Sequence, residues 1–453
     1  MLTQILPIAR NTFVESVRQP VVFVLVALSG FLQIINTWNT GFSMGYSTND
    51  SSEVTGDNKL LFDIGLSTVF VVGAILAGFI ATAVISKEIE KKTVLTVISK
   101  PVSRVALILG KYLGVSGAIL CASITMIAFL LLGIRHGVMS TAGDDLDGPV
   151  LLFSGIALAL SIGLAAWCNY FYGWSFSQTA LLLMLPLFVT AYIAVLFVSK
   201  KWAFQIPLVD FKPQVMTACA CLLLAILVLS AVAVAASTRL GQVMTIVACL
   251  SVFVAALMSN FFLGRFVFQN QTLGMIQQSA TQRDGDFLAD QAPLTFRVDK
   301  PLPIDIKPGT PIYFSPSPNG FPMLTLSEYK PVTGNLDDIN TLMGERATGP
   351  AIIVTVVDGQ TLTIRNVGPT PVPMLRIPER GDYVFTKSTT IRPVPLVAWG
   401  IVPNLQFFWL LDAVTQNREV PASYLTLAAG YAATQITVFL CLAVILFQRR
   451  DVG

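Results

Sequence analysis

Residues 213–238 read PQVMTACACLLLAILVLSAVAVAAST, without a single charged side chain. Wound as a helix at about 1.5 Å per residue, that run is long enough to cross a hydrocarbon layer of about 30 Å. The same pattern recurs along the chain. Uncharged runs also cover Gln19–Asn49, Ile64–Ser86, Tyr112–Ile134, Gly148–Ser199, Leu240–Gly264 and Val420–Gln448. Only 12% of the 453 residues are charged, about half the usual share of a soluble domain. This pattern defines a polytopic all-α membrane protein.

Eight spans are expected, near residues 21–38, 64–86, 108–134, 150–170, 177–199, 214–236, 241–263 and 421–447. The fourth and fifth divide one uncharged run at Asn169–Gln178, where Tyr170, Tyr172, Gly173 and Trp174 suit an interfacial turn. Residues 1–19 read as an amphipathic entry helix lying in the interface, with Ile5, Leu6, Ala9, Phe13 and Val17 as its apolar side. No small-residue cleavage site precedes the first apolar run, so no secretory signal is expected.

Basic residues orient the spans. Arg10, Arg18, Lys87, Lys91, Lys92, Lys100, Arg104, Lys111, Arg239, Arg449 and Arg450 fall on one side. The short loops of the other side hold Lys59, Arg135, Lys200, Lys201 and Lys212. By the positive-inside rule both termini and the 87–111 loop are cytoplasmic, and Asp144, Asp145 and Asp147 lie outside. Lys200 and Lys201 run against the trend.

Between Arg265 and Ala398 the chain changes character, holding 12 acidic and 12 basic residues and 16 of the 25 prolines. Alternating runs at Leu294–Val298, Met323–Ser327 and Ala351–Val357 read as strands. Asp358-Gly359 between two such runs signals a hairpin, and Gly381-Asp382 precedes a strand at Tyr383–Thr386. The expected organisation is therefore an N-terminal helix and spans one to seven (1–264), a β-rich extracytoplasmic insertion (265–398), and a gate-like segment with the last span (399–453).

Other function classes are disfavoured. The net charge of +3 comes without a basic cluster on a soluble face, which argues against nucleic-acid binding. A single histidine, His136, precludes a multi-histidine metal centre. The span interiors carry too few ionisable groups for an ion-coupled carrier. No catalytic, cofactor or metal residues are assigned. Gly110-Lys111 is the nearest fragment to a phosphate-binding loop, but Tyr112 stands where a magnesium-binding hydroxyl is required. It reads as a helix-start glycine and a topology lysine. Arg380-Gly-Asp382 reads as a turn.

The stretch Ser86-Lys-Glu-Ile-Glu-Lys-Lys-Thr-Val-Leu-Thr-Val-Ile-Ser-Lys-Pro-Val-Ser-Arg104 is a charged loop, with Pro101 placed to begin the next helix. Taken alone, it is either ordinary positive-inside topology or a docking surface. The order Asp63–Thr68, an apolar span, Glu88-Ile-Glu90, Thr93, Ser99–Arg104 and Gly110-Lys-Tyr-Leu-Gly114 resembles the permease subunit of ABC-2-type ATP-binding-cassette transporters. Ile8–Arg18, Val402–Leu405, Tyr431 and Phe447–Asp451 extend the resemblance. It departs from the common pattern in having a pair of spans within 150–199 and a large β insertion.

The resemblance implies an ATP-driven exporter subunit in a bacterial cytoplasmic membrane, dimeric with itself or a related permease. ATP would be bound by a cytoplasmic ATP-binding-cassette partner, so the chain itself is no enzyme and holds no cofactor. Glu88, Glu90, Lys91, Lys92, Thr93, Lys100, Pro101 and Arg104 would couple to that ATPase. Pro403, Asn404, Leu405 and Phe408 would form an external gate, from an apolar helix over 405–411 too short to span. The alternative for that helix is an interfacial element beside the β domain. A second function class is an ATP-driven mechanotransmitter or scaffold acting through the β domain; a third, a channel or secondary carrier, fits the sparse intramembrane charge poorly.

Overall fold

The computed structural model describes residues 2–39, 50–86, 103–138, 146–269, 272–279, 294–301, 306–315, 352–366, 380–385, 390–410 and 420–448. It comprises two compact units, Met1–Leu257 with Asn404–Gly453, and Met258–Pro403. The helices are α1 (Leu2–Val17), α2 (Pro20–Asn39), α3 (Asp50–Ala81), α4 (Arg104–His136), α5 (Gly148–Tyr172), α6 (Phe176–Leu196), α7 (Pro213–Ser237), α8 (Gln242–Leu257), α9 (Pro393–Ile401) and α10 (Ala422–Gln448). Among the described residues seven helices are long and apolar enough to cross a membrane, and α8 counted with Asn260–Val267 as one broken span makes eight.

Local chemistry sets the helix ends. Ser103 Oγ accepts the Ala106 N–H at 3.1 Å and starts α4, and Asp147 Oδ1 accepts the Val150 N–H at 3.2 Å and starts α5. Within the long run 148–199 the break is shorter than the sequence suggests. Helix α5 continues to Tyr172 and only three residues separate it from α6. The reason is Gly173, whose φ of 66° lets its N–H reach Asn169 O while Trp174 N–H reaches Cys168 O.

The core of the first unit lies between α2, α3, α4, α7 and α10, with Val26, Phe70, Ile80, Ile119, Met126, Leu229 and Phe447 buried in it. Some polar side chains on the spans are turned toward neighbouring helices. Gln33 Nε2 donates to Gly65 O and Asn36 Nδ2 to Leu61 O, both at 2.9 Å, joining α2 to α3. Ser116 and Ser230 hydroxyls meet at 3.3 Å between α4 and α7. In a hydrocarbon layer such groups need internal partners.

The second unit is built on strands β1 (Phe268–Gln269), β2 (Thr272–Ser279), β3 (Leu294–Val298), β4 (Tyr313–Ser315), β5 (Ile352–Asp358), β6 (Thr361–Asn366), β7 (Tyr383–Phe385) and β8 (Thr390–Ile391). Six form an antiparallel sheet in the order β4-β7-β2-β3-β6-β5, and β1 pairs with β8. Leu294, Phe296 and Val298 alternate inward from β3, as Leu362 and Ile364 do from β6, over a core with Ile276, Val354 and Phe385. The expected hairpin is present with its turn one residue later. Asp358 still pairs with Thr361, and Gly359, at φ 59°, opens a two-residue loop. A positive φ at that position suits glycine. Arg380 and Gly381 form a turn, and Asp382 is buried at its exit rather than displayed. The expected strand at Met323–Ser327 lies outside the described residues.

Candidate functional site

The two ends of the 87–102 loop are held by the helical unit. On the incoming side α3 ends in a π-helical turn, Thr82–Ser86. Lys111, about two turns into α4, is buried and donates from Nζ to Val84 O at 3.4 Å. The sequence suggested only a topology lysine there. Its burial ties the exit of α3 to the start of α4. On the outgoing side Arg104 begins α4 and donates from Nη1 to Gln448 O at 3.0 Å. That bond serves one of the otherwise unpartnered carbonyls at the end of α10. Of the proposed coupling residues, Arg104 is thus placed against the last span. Glu88, Glu90, Lys91, Lys92, Thr93, Lys100 and Pro101 lie outside the described residues.

Helix α1 lies along this same part of α4. A Cβ placed on Gly114 would sit 2.5 Å from Ala9 O and from Thr12 Cβ. One on Gly110 would sit 2.8 Å from Ile8 Cβ, and one on Gly117 3.2 Å from the Phe13 ring. Glycines on α4 therefore let the two backbones approach, as small residues do between membrane helices. The expected apolar side of α1 packs inward at Ile5, Ala9, Phe13 and Val17, joined by Ile8, Thr12 and Ser16, while Leu6 is the one misplaced member, 76% exposed. The glycine spacing in Gly110-Lys-Tyr-Leu-Gly114 was readable, but its purpose depends on a helix nearly a hundred residues away in sequence.

The gate segment is organised around Tyr431 of α10. Over the described part of the expected apolar helix 405–411 the chain is instead a single 3₁₀ turn, Leu405–Phe408, with Trp409 extended after it. Asn404 caps that turn, its Oδ1 accepting the Gln406 N–H at 3.1 Å. The Asn404 N–H donates to Tyr431 Oη at 2.8 Å, and Tyr424 Oη donates to Phe407 O at 2.6 Å. Leu405 and Phe408 are fully buried in the helical core. The rings of Phe407 and Phe408 lie 5.4 and 5.8 Å from that of Tyr431, and Trp409 stacks on Phe70 at 6.0 Å. Side-chain hydroxyls take the backbone groups that a longer helix would have satisfied, so a short turn suffices. Pro403 falls at the end of the other unit.

A buried ion cluster was not foreseen. Arg135, at the end of α4, places Nη1 2.6 Å from Asp147 Oδ2 and Nε 3.0 Å from Asp210 Oδ2. Its side chain is 8% exposed and that of Asp147 is 0%. Taken one at a time these read as loop charges; the cluster exists only because the end of α4 meets two inter-helix loops.

These features define a multi-pass integral membrane protein whose third span is clamped at both ends and whose last span is capped by a buried aromatic turn. Residues 6–168 match the family described as ABC-2 family transporter protein. The match bears out the resemblance to an ABC-2-type permease over the stretch carrying α1, the charged loop and the glycine-bearing helix. No curated protein and no solved structure matches the chain.

Proposed function

We propose that this chain is the permease subunit of an ATP-driven exporter, paired with a second permease and with cytoplasmic ATP-binding-cassette subunits that bind and hydrolyse ATP. The observation that carries the reading is the double anchoring of the 87–102 loop, by Lys111 to Val84 O on one side and by Arg104 to Gln448 O on the other. A force applied to the loop would reach α3, α4 and α10 as rigid bodies instead of dissipating in a slack linker. Within that reading Glu88, Glu90, Lys91, Lys92, Thr93, Lys100, Pro101 and Arg104 seat the ATPase. Asn404, Leu405 and Phe408 form the outer closure with Pro403.

The cargo path would run between the two permeases. On α10, Ser423, Thr426, Leu427, Gly430, Tyr431 and Thr434 line an open concavity of about 500 Å³. Small hydroxyls among apolar groups suit an amphipathic solute. Charge reversal at both Glu88 and Glu90 tests the assignment. The expected result is normal membrane insertion with loss of permease-dependent ATPase stimulation; unchanged stimulation would remove the loop from the docking role.

A second reading is favoured by one feature, the self-contained core of the Met258–Pro403 unit. Here the same ATPase would move an external β domain as a mechanotransmitter, and no solute would cross.

A further inference from the structure

We infer that the end of α4 remote from Arg104 carries a binding site for an amphiphile with a phosphodiester headgroup. A cavity of about 240 Å³ opens there, lined by Leu131, Ile134, Arg135, Tyr192, Lys200, Asp210, Lys212 and Val215. Three of its eight lining residues are cationic. They are also three of the five basic residues that the positive-inside pattern leaves on the unexpected side. Their gathering on one cavity gives that departure a physical purpose.

The charges set the headgroup. Arg135 is paired with both Asp147 and Asp210, and with Lys200 and Lys212 the cluster holds three positive and two negative groups. One positive charge remains, which matches the single negative charge of a phosphodiester. The cations are held differently. Arg135 is fixed by its two carboxylates and by a 3.3 Å bond from Nη2 to Val198 O. Lys200 and Lys212 are exposed at the rim, Lys200 donating to His136 O at 3.1 Å and Lys212 lying 5.9 Å from the Phe62 ring centroid. Each ammonium has further donors to offer. Below them Leu131, Ile134 and Val215 give an apolar wall along the spans, where an acyl chain would lie.

The rim itself is a built element. Ser199 N–H donates to Ala203 O at 2.8 Å, Gln205 N–H to Phe197 O at 2.9 Å, and Val198 bridges Phe204. Inside this small hairpin Trp202 holds a φ of 61°, the one non-glycine at positive φ among the described residues. Its ring lies against Gly148, where an added Cβ would meet it at 3.1 Å. The left-handed region is strained for a side chain as bulky as tryptophan, and strain of this kind concentrates where a loop must hold a ligand-facing geometry.

The test uses the full-length chain in detergent, with dioctanoylphosphatidylglycerol as the probe, read by native mass spectrometry. One saturable equivalent is expected, with the zwitterionic phosphatidylcholine analogue at least ten-fold weaker. The double substitution Lys200→Gln/Lys212→Gln should weaken binding ten-fold or more. Lys201→Gln, the same charge change one residue away from the cavity lining, should leave it unaltered. Equal loss in Lys201→Gln, or equal binding of the two lipids, would overturn the site. Inorganic phosphate should not displace the lipid at equal concentration; if it does, the ligand is a free anion and the amphiphile assignment fails. Circular-dichroism melts of the variants separate lost binding from lost fold, since neither lysine is buried.

Discussion

The Asn404 backbone N–H donates to the phenolic oxygen of Tyr431, 2.8 Å away and 27 residues further along the chain. This bond fastens the gate turn to the last span, because Asn404 also caps that turn through its side chain. Removing the hydroxyl takes this acceptor from a half-buried N–H, at a cost of about 1–3 kcal/mol. Tyr431→Phe should therefore lower the melting temperature modestly while keeping the ring contacts with Phe407 and Phe408. If the segment is the outer closure, the same variant should leak a small fluorescent solute from loaded vesicles. Tight vesicles with lowered stability would mark the bond as structural only.

The Arg135 cluster makes a sharper stability prediction. Asp147 is wholly buried, so Arg135→Gln strands a carboxylate in a dry site and should destabilise the chain by about 3–5 kcal/mol. Adding Asp147→Asn should recover part of that loss, since it removes the stranded charge and an asparagine can still cap α5. Thermal unfolding of the two single variants and the double variant gives the cycle. Additive losses would show that the pair is not coupled.

Close packing of α1 on α4 is tested at Gly114. Gly114→Ala would push a methyl to 2.5 Å from Ala9 O, a backbone atom that cannot swing aside. The expected cost is about 1–3 kcal/mol from overpacking. Gly155→Ala in α5 is the control, with nothing within 4 Å of the added carbon. It should be neutral or stabilise by up to about 1 kcal/mol through helix propensity. If both variants behave alike, the approach of the two helices is not what the glycine serves.

How much of this was legible follows from which signals are local. Charge-free runs announce the spans because a bilayer acts on every residue of a segment at once, and Gly173 and Gly359 announce their turns through backbone conformation. Arg135, Asp147 and Asp210 gave no such sign, since only their convergence distinguishes them from ordinary loop charges. Lys111 looked like a topology residue because sequence does not show that the turn after α3 lies above it. Strand β2 escaped notice because Gly274 interrupts its alternation. That glycine is required by a neighbour far along the chain: a Cβ there would fall 2.1 Å from Val298 Cγ1. The gate was expected as a helix because apolar composition does not reveal that Tyr431 and Tyr424 take up its backbone groups.

The two functional readings diverge most on the β unit, and its strand pairing shows where to cut. Phe268 pairs with Ile391 and Gln269 with Thr390, and the Arg392 N–H donates to Val267 O at 2.8 Å. Because β1 and β8 run antiparallel, a turn-length linker from Gln269 to Thr390 can replace residues 270–389 and keep that pair closed. The six-stranded sheet then leaves as a whole, with its core of Ile276, Phe296, Leu362 and Phe385. The helical unit has its own core and should insert and melt as before. An exporter so trimmed should keep permease-dependent ATPase stimulation and efflux of a solute it carries, with altered selectivity at most. A mechanotransmitter should keep the ATPase response but lose every activity exerted outside the membrane. Efflux measured in vesicles containing the trimmed chain and its ATPase partner separates the two, because only the exporter reading requires a solute to cross when the β unit is gone.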